Sequence, residues 1–143
     1  MKQKSYFSFH KEERLCSKRL IEALFAGGGK SMSAFPLRVV FMPVAQAETS
    51  APVSIMVSVS KRHFKRAVKR NRVKRQIREG YRLHKHLLDE AMERLSGRHL
   101  MIAFLWLSDR LYATGEVERS VKHLLMRVSE RLMQSATEVS AHE

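Results

Sequence analysis

Cysteine is nearly missing from this 143-residue chain. Cys16 stands alone, so no internal disulfide can form, which fits a reducing cytoplasm. Long apolar runs are missing too: nothing approaches the roughly 18 consecutive apolar residues of a membrane-spanning helix. The opening MKQKSYFSFHKEER has neither the apolar core nor the small-residue cleavage site of a signal peptide. Acidic residues are scarce, 14 against 27 Lys and Arg, leaving a formal net charge of +13. Such an excess points to nucleic acid or an anionic membrane surface. The membrane is the poorer fit, because the most basic stretch lacks the broad bulky face an interfacial helix buries in lipid. Catalytic groupings are also wanting. His84 and His86 are two apart and so leave a helix on different sides, no His, Cys and carboxylate set has ligand spacing, and no Ser/His/Asp arrangement can be argued. Cys16 reads as a small packing residue. Gly27-Gly28-Gly29 is no phosphate loop, since it follows a helical pattern and no GK[ST] opens a helix after it.

What is present is cationic and ordered. From Lys61 to Arg82 (KRHFKRAVKRNRVKRQIREGYR) eleven residues are Lys or Arg and only Glu79 is acidic. Val73, Ile77 and Tyr81 recur every four residues, with Leu88 continuing the row, so one stripe of a helix is apolar. Asn71, Arg75, Arg78 and Arg82 fall on the opposite side, flanked by Lys74 and Lys85. Ordinary surface helices alternate sign; like charges at i,i+3 and i,i+4 cost a few tenths of a kcal/mol per pair, which a polyanion would relieve. Arginine's planar fork suits phosphate and base stacking, and the amide of Asn71 can donate and accept at once. The segment predicts a helix starting near Ala67, after an irregular approach through 61–66. Gly80 inside it costs about 1 kcal/mol against Ala.

The rest of the chain is read as follows. Leu20, Ile21, Leu24 and Phe25 form an amphipathic helix, with Ser17 a candidate N-cap and the glycines its stop. Pro36–Val44 reads as a strand with Leu37, Val39 and Phe41 on one face. Val53–Val59 reads as a second strand, and the short link predicts a hairpin between the two. Leu100–Leu107, apolar on both faces, suits a buried central strand. Glu116–Met133 is another amphipathic helix, with Thr114 a candidate cap, and 135–143 is a polar tail expected to fray. The order α-β-β-α-β-α predicts a single α+β domain spanning 1–143, ordered over about 5–134, with helices on a small mixed sheet and one face or edge partly open.

The residues also carry a resemblance. Ser58-Val59-Ser60-Lys61-Arg62, then Ala67-Val68-Lys69-Arg70-Asn71-Arg72-Val73-Lys74-Arg75-Gln76-Ile77-Arg78-Glu79, resembles the bacterial ribonuclease P protein family, whose core motif is Arg-Asn-Arg-x-Lys-Arg-x-x-Arg. Phe9 with Lys11 to Leu15, Leu24-Phe25-x-Gly-Gly and the Pro36–Val44 strand agree, so the resemblance covers about residues 5–134. It implies a ribosomal-protein-like α/β sandwich with a left-handed βαβ crossover carrying the motif helix. It implies a cytoplasmic partner of a large catalytic RNA, which removes the 5′ leader of precursor tRNA with Mg²⁺ bound chiefly by that RNA. The protein then supplies no catalytic residue and needs no protein partner.

The motif carries RNA-subunit contact onto Arg70, Asn71, Arg72, Lys74, Arg75 and Arg78, with Arg82 added from the helical wheel. The family's leader cleft, between first helix and sheet, implies Phe25 and Phe41 with Lys61 nearby, although core packing is the other role open to both rings. The family often has an aromatic four residues before Phe25, where this chain has Ile21. The competing reading is a ribosomal or other structural RNA-binding protein with no processing role.

Overall fold

The computed structural model describes residues 13–14, 18–45, 52–95 and 97–142. Tyr6, Phe7, Phe9, Cys16 and the Ser17 cap lie outside them.

LRVVFMPV is apolar at both alternate sets of positions, the pattern of a strand covered on two faces. It forms β2 (Leu37–Val44), which sits inside a four-stranded sheet. β1 (Lys30–Ala34) joins it by a hairpin through a cis Phe35-Pro36 peptide. On its other side β2 pairs antiparallel with β4 (His99–Trp106), and β4 pairs in parallel with β3 (Val53–Ser58). The sheet order is β1-β2-β4-β3, so the predicted hairpin between the second and third strands does not form. Its place is taken by β1, whose sequence KSMSA carries little apolar signal because it is an edge strand with a polar outer face. The sheet is mixed, as expected, in a longer α-β-β-β-α-α-β-α order.

The parallel pair requires a crossover, supplied by α2 (Ala67–His84), a 3₁₀ turn (Lys85–Leu88) and α3 (Asp89–Arg94). The start of α2 at Ala67 is the one the sequence predicts. Val73, Ile77, Tyr81 and Leu88 are all within 1% of complete burial, so the apolar stripe is the docked face. Gly80 lies where α2 meets α4 (Thr114–His142): a Cβ there would stand 3.1 Å from Val121 Cβ. Close approach of two helices therefore accounts for a glycine that weakens its own helix.

α4 buries Val117, Val121, Leu124, Leu125, Val128 and Leu132, and runs to His142, through the stretch expected to fray. Its start differs from expectation. Glu116 Oε2 accepts the Ala113 N–H at 3.0 Å, putting Ala113 at the cap, while the Thr114 hydroxyl accepts from Gln76 Nε2 at 3.1 Å.

α2 and α4 cover one sheet face, burying Leu37, Val39, Phe41, Ile55, Leu100, Ile102, Phe104 and Trp106. Among the described residues, the opposite face meets only α1 (Lys18–Ala23) and the turn Leu24–Gly28 that ends it. There Leu24 packs on Val40, Met101 and Ala103, and Ile21, Met42, Val44, Met56 and Leu105 remain half-buried. Gly27 takes φ +97° in this turn, and a Cβ on Gly29 would come within 2.7 Å of both the Leu24 carbonyl oxygen and Val40 Cγ1. One glycine turns the chain and the other lets it lie on the sheet. No helix among the described residues is long and apolar enough to cross a membrane.

Candidate nucleic-acid interface

With the stripe of α2 fixed inward, helical geometry leaves Asn71, Arg72 and Arg75 exposed and Lys74 half-buried beside them. None of these four side chains has a hydrogen-bond or ionic partner among the described residues. Arg78 is half-buried, and its proton affinity is lowered first by burial and then by the nearby charge of Arg14. Arg14 reaches this region because its backbone forms an isolated bridge to Ile55, in β3. Nothing local in the sequence indicates that Arg14 lies against β3.

The remaining cations of the predicted row are committed. Arg70 falls on the inner side of α2, where one of its terminal nitrogens donates to the carbonyls of Phe64 and Lys65, each at 2.8 Å. It closes the approach loop onto the helix and so has a structural duty of its own. Arg82 is gripped by Glu79, Nε to Oε2 at 3.0 Å and Nη2 to Oε1 at 2.6 Å. That bond holds the Glu79 carboxyl below its ordinary value and raises Arg82. Lys85 donates to Glu13 at 2.8 Å, with both side chains largely buried. Arg82 and Lys85 therefore do not extend the open row as the helical wheel suggests. Exposed pairs such as Arg82–Glu79 contribute little, so a phosphate can compete for that one.

The open sheet face is a second feature. Phe25 is 45% exposed beside it and Lys61 is exposed, as a leader contact requires. Phe41 is 1% exposed and faces the helices, so its ring cannot stack on a base. That expectation is corrected. The even-numbered neighbours Val40 and Met42 line the open face instead, with Met56 and Leu105 from the adjoining strands. Because both alternate sets of β2 are apolar, the sequence does not tell which set the helices cover. Trp106, within the strand predicted to be buried, is core, 3% exposed.

The ribonuclease P family model matches residues 9–129, a span that contains both the cationic row and the open face. The chain belongs to the ribonuclease P protein family. A ribonuclease P protein component from Porphyromonas gingivalis is 42% identical over 130 residues, covering 91% of this chain and 93% of that protein. One from Chlorobium phaeobacteroides is 38% identical over 109 residues, covering 72% and 74%. Among solved structures, the Staphylococcus aureus RNase P protein aligns with a TM-score of 0.61 at 21% identity, over 81% of this chain and 94% of that one. The Thermotoga maritima protein gives 0.60 at 21% identity, over 80% and 96%. At that identity the likeness speaks for the fold: a ribonuclease P protein fold carrying this chain's own side chains.

Proposed function

We propose that the chain acts as the protein subunit of ribonuclease P, binding the catalytic RNA through the outer face of α2 and the 5′ leader of precursor tRNA on the open sheet face. The observation that carries this is the row Asn71, Arg72, Lys74 and Arg75, unpartnered among the described residues on a helix whose opposite stripe is locked into the core. Arg78, with Arg14 beside it, extends the row toward β3, and Arg70 and Arg82 serve it from fixed positions. A rigid array of cations loses little side-chain and backbone freedom on meeting phosphates, so more of each contact survives as affinity.

The leader lies, in this reading, across Phe25, Met42, Met56 and Leu105, with Lys61 offering charge. Methionine is soft and unbranched, which suits bases of differing shape. The protein's part is to bind and orient. Hydrolysis belongs to the RNA, which supplies the Mg²⁺ chemistry when bound, in the cytoplasm. Adding the protein to the catalytic RNA at low Mg²⁺ should raise the rate of precursor-tRNA cleavage. No effect would reject this function and favour a structural RNA-binding role.

A further inference from the structure

The two surfaces above do not use the end of the sheet where β1 turns into β2. Phe35 is 65% exposed there, the most exposed aromatic ring among the described residues. It is not a loose tip. The Pro36 carbonyl accepts the Leu107 N–H at 2.8 Å, and Arg127 on α4 donates to the Ser33 carbonyl at 3.1 Å, so the turn is fastened on both sides. Tyr112 meets the Phe35 ring edge-on at 6.4 Å, and Trp106 braces Tyr112 in turn at 5.6 Å. Behind Tyr112, its carbonyl accepts from Gln76 of α2.

Phe35, Pro36 and Tyr112 wall one side of a notch of about 330 Å³, and α4 forms the other side with Arg119 and His123 at the rim. Arg119 is exposed, without an ionic partner among the described residues. Glu116 also lines the notch, but its carboxylate is turned to the Ala113 N–H and makes no ion pair with Arg119. Further cations, Lys122 and Arg127, follow along α4.

We propose that this notch binds one unpaired nucleotide of an RNA strand, its base against the exposed face of Phe35 and its phosphate on Arg119. An aromatic face takes any base, and the guanidinium takes the phosphate bidentately. Charge selects the occupant. In a chain of net charge +13, an aromatic wall rimmed by Arg119 and His123 complements a polyanion and repels a basic protein surface. The notch lies at the β1 edge, whereas α2 packs toward β3 and α4, so a strand held here is distinct from one on the cationic row.

The test uses the full-length protein with a single-stranded oligoribonucleotide bearing 4-thiouridine, cross-linked by light and mapped by mass spectrometry. A cross-link on the peptide holding Phe35 or Tyr112 is expected. Arg119→Glu should reduce it about fivefold or more, and Phe35→Leu should weaken oligonucleotide binding about fivefold or more. Arg131→Glu, the same charge change three turns along α4, should alter both by less than about twofold. Thermal melts establish that each variant is folded, and Arg119→Gln replaces Arg119→Glu if that variant is not. Absence of the cross-link, or equal losses for Arg119→Glu and Arg131→Glu, would overturn the proposal. So would Phe35→Leu changing only self-association in sedimentation, which would make the patch a protein contact. Failure of the α2 reading is distinguishable: Arg75→Ala would then leave catalytic-RNA binding intact, while the cross-link at Phe35 stays.

Discussion

Val40 and Phe41 are neighbours with opposite fates, the first under the turn that ends α1, on the open face, and the second sealed beneath α2 and α4. Phe41→Ala should cost about 3–5 kcal/mol of stability in denaturant unfolding, as core phenylalanine truncations do. Phe25→Ala should cost less than about 1 kcal/mol, since its ring is 45% exposed, yet should weaken precursor tRNA more than mature tRNA. Equal loss for the two RNAs would remove Phe25 from the leader surface. Gly29 is the other decisive residue here. A methyl group within 2.7 Å of the Leu24 carbonyl cannot be absorbed by a flexible side chain, so Gly29→Ala should push α1 from the sheet and lower stability by about 1–3 kcal/mol. A glycine triplet is easy to see in a sequence, but which member turns the chain and which lies on a neighbour depends on packing partners that are distant along it.

Among the elements, α2 was the most legible. Its stripe is a local periodicity, and Val73, Ile77 and Tyr81 needed nothing beyond spacing to be placed inward. Strand pairing was not legible, because β3 finds its partner β4 only after the whole crossover has been traversed, and short links between apolar runs resemble hairpins. The roles of the individual cations divide by geometry. Arg72→Ala and Arg75→Ala should each lower the slope of log affinity against log salt by about 0.7–0.9 while leaving the melting temperature unchanged. Arg70→Ala should instead destabilise the fold by about 1–3 kcal/mol, because two carbonyls lose their donor. The Glu79–Arg82 bond adds a pH dependence. A carboxyl held below its ordinary value in the folded chain contributes stability that is full above that ordinary value and fades as the pH falls through the lowered one. Glu79→Gln should flatten this part of an acid titration followed by circular dichroism.

At the scale of the molecule, the charge of +13 is a self-repulsion that folding tolerates and a polyanion removes. Adding RNA should therefore raise the melting temperature, and the rise should vanish as salt approaches about 1 M, where screening reaches only ~3 Å. A rise that survives high salt would mean that binding is not chiefly electrostatic. Composition alone made this property visible. The cationic row was legible in α2 alone, whereas the open apolar face and the aromatic notch were not visible, because each gathers residues from segments far apart along the chain.

The seat of α2 has a consequence in time. Tyr81 rests on Phe104 and Gly80 on Val121, both of which follow the helix along the chain. During synthesis the helix therefore emerges before two of the side chains that brace it. Its cationic face gains its full seat only once β4 and α4 have been translated.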